Sequence, residues 1–367
     1  MQKKDTKEIQ IFLTELGEKL GFVSKAEYRK HITTDYNPIY DVVWFFEKES
    51  YNFSYLDKIL DKEKNWKSMT NQIPIAAFEI EGSTTTSKNQ LGNLLNLSLL
   101  NPFLSFVVVN NEKASNENDT YRRGVKIVRT YMEFSGKQNI IFLDWDHLAN
   151  IEKSLDFSQK DKKRNNYPNN LLRRSKVGGE KDTVLMDNLM SLLNTTKLEI
   201  HQNYTSPLYK WQYSRIMASQ NIKISKDHDY QLHKKYIFDP KNNIEKEIQK
   251  IDDFYYLPKI DFALELKIPN LFKMFLTEIG NRLQEQIIYY PILNYLNKNP
   301  KNELSFPFIG IEVETSVNKH LNGGVFNMSH FFYIGLLISK KAGLNNINTL
   351  SKLGINNIFH VNEEVLL

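Results

Sequence analysis

The sequence has no cysteine, which excludes disulfide bonds and thiolate metal sites and gives no sign of an oxidising compartment. Its longest apolar run, residues 331–338, is far too short to cross a bilayer. The charged start, MQKKDTKEIQ, lacks the apolar segment of a signal peptide. The sequence contains no glycine-rich phosphate loop, so use of ATP is not indicated. These absences predict a cytoplasmic protein that contacts no membrane.

Positive charge is concentrated in one part of the chain. The 367 residues, enough for two or three domains, carry a net charge of +5. Residues 151–181 hold nine basic and four acidic residues, so this segment alone carries the same excess. Such a concentration favours binding to a polyanion such as nucleic acid; a solvated lysine-rich loop is the alternative. The candidate phosphate-contacting residues are Lys162, Lys163, Arg164, Arg173 and Arg174.

Two glutamates stand out in the stretch IPIAAFEIEGSTTTSKNQLGNLLNLS, residues 73–98. The apolar run predicts a buried strand, and Glu79 and Glu81 would project from the same face of it, with Ile80 on the other. Paired carboxylates are costly to fix side by side unless a cation lies between them. A plain solvated strand edge is the alternative interpretation.

The chain repeats this arrangement, which indicates an internal duplication. Residues 79–83 align with residues 312–316, the following helix aligns after a two-residue gap, and residues 25–41 align with residues 245–261 without a gap. The matched pairs are Glu79 and Glu312, Glu81 and Glu314, Lys88 and Lys319, Gly92 and Gly323, Asn96 and Asn327, Ser98 and Ser329, Glu27 and Glu247, Lys30 and Lys250, Tyr36 and Tyr256, Pro38 and Pro258, and Asp41 and Asp261. Most are polar or charged, so a shared hydrophobic pattern does not explain them.

The pattern of apolar residues predicts an α/β fold, with a mixed sheet flanked by helices in each of two units. The first unit covers residues 1–155, a basic and mostly helical middle segment covers 156–243, and the second unit covers 244–367. We expect a mobile basic stretch at the start of the middle segment. The predicted strands are 39–46, 75–80, 104–109, 140–144, 260–266, the strand ending at Glu314, 332–338 and 358–361. The predicted helices are 6–20, 87–100 with Ser87 as N-cap, 121–134, a short one capped by Asp146, 183–193, 207–218 and 271–297.

An aspartate on one strand and an acidic pair at the end of the next predict a divalent metal site. Mg²⁺ takes oxygen ligands, usually one or two carboxylates with water and substrate phosphate. Asp41, Glu79 and the backbone carbonyl of Ile80 would hold the ion, and Glu81 would orient or deprotonate the attacking water.

These residues resemble the PD-(D/E)xK nuclease superfamily, especially type II restriction endonucleases. The resemblance rests on the PxxD motif, the (I/F)E(I/V)E motif at a strand end, and the helix that follows. It implies Mg²⁺-dependent phosphodiester hydrolysis, with Mn²⁺ as a possible replacement ion. In the second unit it implies Asp261, Glu312, Glu314 and the carbonyl of Val313. Two departures are evident: the third catalytic position, usually lysine, is Glu81 or Glu314, and the spacing between the strands is long.

The resemblance also assigns roles to residues outside this motif. Lys88 and Lys319 would supply the displaced positive charge, and Glu27 and Glu247 resemble an upstream helix glutamate of some members. Two units in one chain would form an internal pseudo-dimer, so a monomer could cut both strands of double-stranded DNA. A cognate DNA methyltransferase is the expected genetic partner. A structure-specific repair or mobile-element nuclease and a DNA-binding protein with inactive nuclease folds are the alternatives.

Three further groups of polar residues were considered as candidate sites. Asp253 with Glu265 and Lys267 has the spacing of an alternative site in the second unit. The cluster Asp227, His228, Asp229 and His233 is read as polar residues on a helix face, with a metal site as the alternative. The segment from Asp144 to His147 is read as a strand end followed by a helix cap.

Overall fold

A computed structural model of the chain describes residues 6–30, 36–46, 54–82, 86–110, 120–135, 139–157, 171–175, 188–189, 197–201, 261–283, 290–298, 300–301, 304–314, 324–325, 328–329, 332–340, 347 and 356–365. Two mixed β-sheets flanked by helices account for most of these residues. The α/β class expected from the sequence is therefore confirmed. No helix in these ranges is long and apolar enough to cross a membrane.

Within the described residues, the first sheet and its helices come from the first half of the chain. The strands are β1 (Val23–Arg29), β2 (Ile39–Phe45), β3 (Pro74–Gly82), β4 (Leu104–Asn110) and β5 (Ile140–Asp144). The helices are α1 (Thr6–Lys19), α2 (Ser54–Ile59), α3 (Lys64–Thr70), α4 (Ser87–Leu100), α5 (Thr120–Ser135) and α6 (Trp145–Ser154). The strand order is β1-β2-β3-β4-β5. The first three strands are antiparallel, and β3, β4 and β5 are parallel.

The second sheet, again within the described residues, has the order β11-β10-β9-β8-β6-β7. Its strands are β6 (Leu171–Ser175), β7 (Lys197–His201), β8 (Phe262–Lys267), β9 (Ser305–Glu314), β10 (Ile334–Ser339) and β11 (Ile358–Asn362). Its helices are α7 (Asn270–Leu283) and α8 (Pro291–Lys298), followed at the end of the chain by a 3₁₀ turn, Glu363–Val365. The strands β6 and β7 belong to the segment expected to form a separate basic region, yet β6 pairs with β8.

The two sheets share strand directions and register. In both, an antiparallel pair is followed by two parallel additions: β2, β3, β4 and β5 in the first sheet and β8, β9, β10 and β11 in the second. Val42 lies opposite Phe78 in the first sheet, and Phe262 lies opposite Ile311 in the second. These are the same positions in the sequence repeat, so the repeat and the sheet geometry agree.

Irregularities of the two sheets also coincide. The β2–β3 pair shifts register between Trp44 and Phe45, and the β8–β9 pair shifts between Leu264 and Glu265. These two steps occupy matching positions when Asp41 is aligned with Asp261. A β-bulge is a specific local feature that a generic sheet does not require at a given place, so its recurrence adds to the similarity of the two units.

An asparagine just before the last strand of each sheet makes equivalent contacts. Asn139 precedes β5 and Asn357 precedes β11, and each Nδ2 donates to backbone carbonyls where the neighbouring strand begins. The acceptors are Pro102 at 2.9 Å and Phe103 at 3.1 Å in the first sheet, and Phe332 at 3.2 Å and Tyr333 at 3.5 Å in the second. Sequence comparison missed this pair because its distance from the acidic motif differs between the units.

The core of the first sheet is built on both of its faces. β3 is buried from Pro74 to Glu81, as expected for an apolar strand between two neighbours and covered by helices. Asn93 of α4 and Gly124 of α5 contact side chains on the face that carries Glu79. On the opposite face, the indole Nε1 of Trp44 donates to Leu13 of α1 at 2.9 Å.

Helix α7 joins the two units through the same core. It follows β8 of the second sheet, but its aromatic side chains pack on the first sheet. Phe275 lies 6.0 Å from Trp44 and 6.3 Å from Phe106, measured between ring centroids. In return, Trp66 of α3 lies 5.3 Å from Phe359 of β11, edge to face. Each unit therefore contributes a segment to the core of the other, within one continuous hydrophobic cluster.

Several local expectations needed correction. The helix α4 begins at Ser87 as predicted, but its N-cap is Thr86, whose side chain accepts from Asn89 N. Asp144, and not Asp146, caps α6 by accepting from His147 N at 2.8 Å. The predicted helix 271–297 is two helices, α7 and α8. The strand β1 and the short helices α2 and α3 were not predicted, and helices 183–193 and 207–218 lie largely outside the described residues.

Candidate active site

Asp41 and Glu79 meet where the β2–β3 pair ends. Continuing the register beyond Val42 and Phe78 places the two acidic residues opposite each other. The Asp41 carboxylate accepts the backbone N–H of Ile80 at 2.7 Å through Oδ2. Its other oxygen, Oδ1, accepts from Gln10 Nε2 of α1 at 2.9 Å. Both oxygens of Asp41 are therefore fixed, one by the neighbouring strand and one by the first helix.

Glu79 is buried without a hydrogen-bond partner for one of its oxygens. The residue is 5% exposed, and its Oε1 has no partner among the described residues. Burial raises the pKa of Glu79 to about 9, and the charges of Asp41 and Glu81 act in the same direction. A carboxyl group with this pKa holds a proton at neutral pH unless a cation takes the place of that proton.

The pKa of Asp41 is shifted in the same direction. Burial raises it, the hydrogen bonds from Ile80 and Gln10 oppose that effect, and the negative charge of Glu27 adds to it. Two neighbouring carboxyl groups are thus both harder to ionise than in water. A cation bound between these carboxylates would be strongly stabilised, because its positive charge would offset a repulsion that no protein group described here compensates.

Glu27 lies on a strand, which corrects the expectation of a helix glutamate. Its neighbours Ala26 and Tyr28 pair with Val42 and Tyr40, so Glu27 on β1 lies next to Asp41 on β2. Its φ angle is +49°, a conformation uncommon for a residue other than glycine. The side chain is exposed. Glu27 thus extends the row of acidic residues to the edge strand. Its predicted equivalent, Glu247, lies outside the described residues.

Glu81 is held by a residue that sequence analysis did not identify. It is 1% exposed, and its Oε1 accepts from Asn93 Nδ2 at 2.8 Å. Asn93 lies on α4, one turn after the buried Gln90. Gln10 was missed in the same way. A polar residue on an otherwise apolar helix face was the available signal in both places, but only the packed helices show which glutamate or aspartate it meets.

Lys88 lies in the first turn of α4 and is exposed. A positive charge at a helix N-terminus opposes the helix dipole, so this lysine does not stabilise α4. In the described part of the chain, no hydrogen bond or ion pair joins it to Asp41, Glu79 or Glu81. Its side chain is free to reach a ligand in solvent. Its predicted equivalent, Lys319, lies outside the described residues.

The second unit repeats the central contact. Asp261 Oδ2 accepts the backbone N–H of Val313 at 3.1 Å, and the register places Asp261 opposite Glu312. Glu312 is half-buried, and its carboxyl group lies against Gly324. Glu314 ends strand β9; its side chain is not among the described ones.

The alternative set in the second unit occupies another place. Glu265 is 3% exposed and accepts from Ser305 Oγ. It lies opposite Pro307 and so at a distance along β8 from Asp261 and Glu312. Lys267 ends the strand on the exposed surface, and Asp253 lies outside the described residues. Glu265 therefore cannot share a site with Glu312.

The fit of these residues to a metal ion depends on the donors they offer. Across the described ranges, no group of three or more His, Cys, Asp or Glu side chains converges to hold an ion. The set expected in the first unit has two carboxylates and a backbone carbonyl. The charge of Asp41 adds to the burial that raises the pKa of Glu79, and the Oε1 of Glu79, which has no hydrogen-bond partner among the described residues, is an available oxygen ligand. Hard oxygen donors of this kind suit Mg²⁺.

The basic residues expected to contact DNA are only partly described. Arg173 and Arg174 lie on β6, within the second sheet, instead of in the mobile stretch that the sequence predicted. Lys162, Lys163 and Arg164 lie outside the described residues, as does the cluster from Asp227 to His233. The segment at Asp144 is a strand end and helix cap, as expected.

Removing the Asp41 carboxylate tests whether this residue has a structural role. We expect Asp41→Ala to lower the free energy of unfolding by about 1–3 kcal/mol, because the buried N–H of Ile80 loses its acceptor. Asp41→Asn keeps an oxygen for that N–H and should cost less than about 1 kcal/mol. Urea unfolding of both variants measures the difference. Equal losses would contradict the role of the Ile80 contact.

Comparison of the chain with protein-family models, with curated proteins and with solved structures gave no match.

Proposed function

We propose that the chain is a type II restriction endonuclease that hydrolyses phosphodiester bonds of double-stranded DNA at a specific sequence with Mg²⁺. The observation that carries the proposal is one contact made twice. In each unit an aspartate accepts the N–H of the residue that follows a glutamate on the next strand, at Asp41 and Ile80 and again at Asp261 and Val313. This contact brings the two acidic residues of a hydrolytic site to the same end of a strand pair.

We further infer that the two units arose by duplication and act as an internal pseudo-dimer. The shared register, the shared bulge and the equivalent asparagine contacts support this inference. Two sites in one chain match the two strands of a duplex, as two subunits do in a symmetric dimer. A monomer could then cut both strands, and diverged halves could read an asymmetric sequence.

Each residue has a role in this proposal. Asp41, Glu79 and the Ile80 carbonyl would hold Mg²⁺, or Mn²⁺ in its place, in the first unit; Asp261, Glu312 and the Val313 carbonyl would do so in the second. When bound, the ion supplies positive charge that stabilises the phosphate as its negative charge grows.

The second glutamate of each pair acts on water. Asn93 fixes the orientation of the Glu81 carboxylate, and this carboxylate would orient a water molecule towards the phosphorus and accept its proton. Glu314 has the corresponding place at the end of β9. Lys88, exposed at the start of α4, would contact a DNA phosphate as a point charge, and Lys319 would act in the same way.

The partners follow from the reaction. Double-stranded DNA is the substrate, and the host DNA needs protection, so a cognate methyltransferase is expected beside this protein in the cytoplasm. Arg173 and Arg174, with Lys162, Lys163 and Arg164, remain candidates for contacts to phosphates. Of these, Arg173 and Arg174 lie on β6, next to the edge strand β7 of the second sheet.

Cleavage of unmethylated phage DNA tests the proposal. Wild-type protein with Mg²⁺ should give discrete fragments, and EDTA should abolish them. Glu79→Ala should slow cutting of one strand by about 1,000-fold, because a ligand worth several kcal/mol is lost, and should leave a nicking enzyme. The double variant Glu79→Ala, Glu312→Ala should cut neither strand, whereas Glu15→Ala, an exposed change on α1, should match the wild type.

The alternatives give different results in the same assay. A structure-specific nuclease would cut branched DNA without regard to sequence and would give no discrete fragments from phage DNA. Binding without cleavage under any divalent ion would exclude the catalytic proposal and favour a DNA-binding protein with inactive nuclease folds. Loss of both cuts on replacing Glu79 alone would contradict two independent sites.

A further inference from the structure

The first buried position of helix α4 is polar, whereas the rest of its buried face is apolar. The buried residues reported for this helix are Gln90, Leu94, Leu97 and Leu100. Gln90 is 2% exposed, and neither its Oε1 nor its Nε2 has a hydrogen-bond partner among the described residues. A buried amide without partners weakens a fold, so it requires an explanation such as a catalytic role or a bound ligand.

The sequence repeat carries leucine at the equivalent position. Because Gly92 aligns with Gly323, Gln90 aligns with Leu321, which itself lies outside the described residues. Leucine is also the residue that fills the other buried positions of α4, and it would leave no polar atom unpaired at residue 90. Packing alone therefore favours leucine, and the amide of Gln90 needs a reason other than packing.

Gln90 lies beside the residue that fixes Glu81. Asn93 follows three residues later on α4 and donates to Glu81 Oε1 at 2.8 Å. Residues three apart on a helix are neighbours, with Cβ atoms about 5–6 Å from each other. Helix α4 runs back along β3, since the backbone N–H of Phe103, just after the helix, donates to Pro74 O at the start of that strand. Gln90 is therefore next to the contact between Asn93 and Glu81, on the side of the carboxyl end of β3.

The amide oxygen of Gln90 supplies what an attacking water molecule needs. Such a water must present a lone pair to phosphorus, so both of its O–H groups have to be held elsewhere. In the proposed function Glu81 takes one of them. It can do so while it accepts from Asn93, because a carboxylate offers about four lone-pair positions. The unpaired Oε1 of Gln90 is an acceptor for the second O–H, and the lone pair of the water would then face the phosphate.

We propose that Gln90 is a further catalytic residue of the first site, where its amide oxygen orients the attacking water. This inference rests on the proposed function, and it concerns the first unit alone because leucine stands at the equivalent position of the second. As the water oxygen forms its bond to phosphorus, one proton passes to Glu81 and the other O–H stays on Gln90. The bond from phosphorus to the leaving sugar oxygen breaks, and that oxygen takes a proton from solvent.

Nicking of a supercoiled plasmid tests this role in one unit at a time. Glu312→Ala leaves the first site, and Glu79→Ala leaves the second. We expect Gln90→Leu to slow nicking about 10- to 100-fold in the Glu312→Ala chain, the cost of a misplaced nucleophile, and to leave the Glu79→Ala chain unchanged. Gln90→Met, which is unbranched like glutamine, should give the same loss and serves if Gln90→Leu does not fold. An unchanged rate in the Glu312→Ala chain would overturn the inference and leave the proposed function standing.

The dependence of the nicking rate on DNA concentration separates water positioning from DNA binding. The loss caused by Gln90→Leu should fall on kcat, because the contact to the water acts in the transition state, and KM should stay the same. A higher KM with an unchanged kcat would mean that Gln90 binds DNA instead, and it would overturn the inference.

Thermal unfolding followed by circular dichroism separates a catalytic role from a structural one. Gln90→Leu should unfold at the same temperature as the wild type or at a higher one, because it removes unpaired buried polar atoms. Gly92→Ala on the same helix is the matched control, because an added Cβ would meet no other element within 4 Å; it should change neither nicking rate. A lower unfolding temperature with equal loss of nicking in both backgrounds would overturn the inference. Wild-type protein that cuts neither strand would overturn the proposed function and the inference together.

Discussion

Glu79→Gln is expected to make the protein more stable at alkaline pH than the wild type, by on the order of a few kcal/mol at pH 8 in EDTA. The folded state raises the pKa of Glu79 from 4.5 to about 9. Between these two values the folded chain keeps a proton that the unfolded chain releases. The free energy of unfolding of the wild type therefore falls as pH rises through this window. Glutamine has no proton to lose, so the variant lacks this slope.

Urea unfolding at pH 4, 7 and 9 measures the effect. Below pH 4.5 both side chains are neutral and the two proteins should have similar stability, while the gap should widen with pH. The exposed change Glu15→Gln on α1 is the control and should show no such pH dependence. Mg²⁺ at pH 8 should stabilise the wild type, by mass action on the folded state, and should act weakly on Glu79→Gln. Parallel pH curves for wild type and Glu79→Gln would contradict the buried-carboxyl interpretation.

Phe275→Ala is expected to lower the free energy of unfolding by about 3–5 kcal/mol, the usual range for a buried phenylalanine. Phe275 is fully buried, and it packs on Trp44 and Phe106 of the first sheet although its own helix α7 follows a strand of the second. The loss should therefore destabilise both units together, in one cooperative transition.

Two probes distinguish this outcome from a local effect. Three of the four tryptophans, Trp44, Trp66 and Trp145, lie in the first unit, so tryptophan fluorescence reports mainly that unit, whereas circular dichroism reports both sheets. Coincident transitions by the two probes are expected for both wild type and variant. Ile11→Ala, at a side chain that is 53% exposed, is the control and should cost less than about 0.5 kcal/mol. Separate transitions by the two probes would contradict a shared core.

The parts of the fold that the sequence predicted are those with strong apolar patterns. The strands β3 and β4 are almost wholly buried, and their runs of apolar residues were sufficient. The edge strand β1 has no buried face, with a burial pattern that alternates weakly, so its sequence carries no strand signal. The short helices α2 and α3 look like a charged connector because they carry few apolar residues, and one of these, Trp66, packs on Phe359 of the second sheet.

In the candidate site, too, the sequence predicted what depends on local spacing and not what depends on packing between distant elements. The spacing of Glu79 and Glu81 and the repeat at Glu312 predicted which acidic residues share a strand face. Register then brought Asp41 opposite Glu79, which spacing alone could not ensure across the long connection between the two strands. Gln10 and Asn93 could not be identified, because their contacts depend on which helix covers which face of the sheet. Contacts between distant elements are properties of the folded chain and not of a local pattern.

The exchange of α7 and Trp66 between the units has a consequence for how this sequence can change. A half that lost its carboxylates would still be needed, because its helix or its tryptophan completes the core of the other half. Substitutions at the acidic residues that keep their backbone contacts, such as Asp41→Asn and Glu79→Gln, are then compatible with folding, whereas the aromatic residues of α7 are needed for the shared core. The acidic site residues can therefore be substituted more readily than the aromatic core residues. A related chain with one inactive site would still retain both halves.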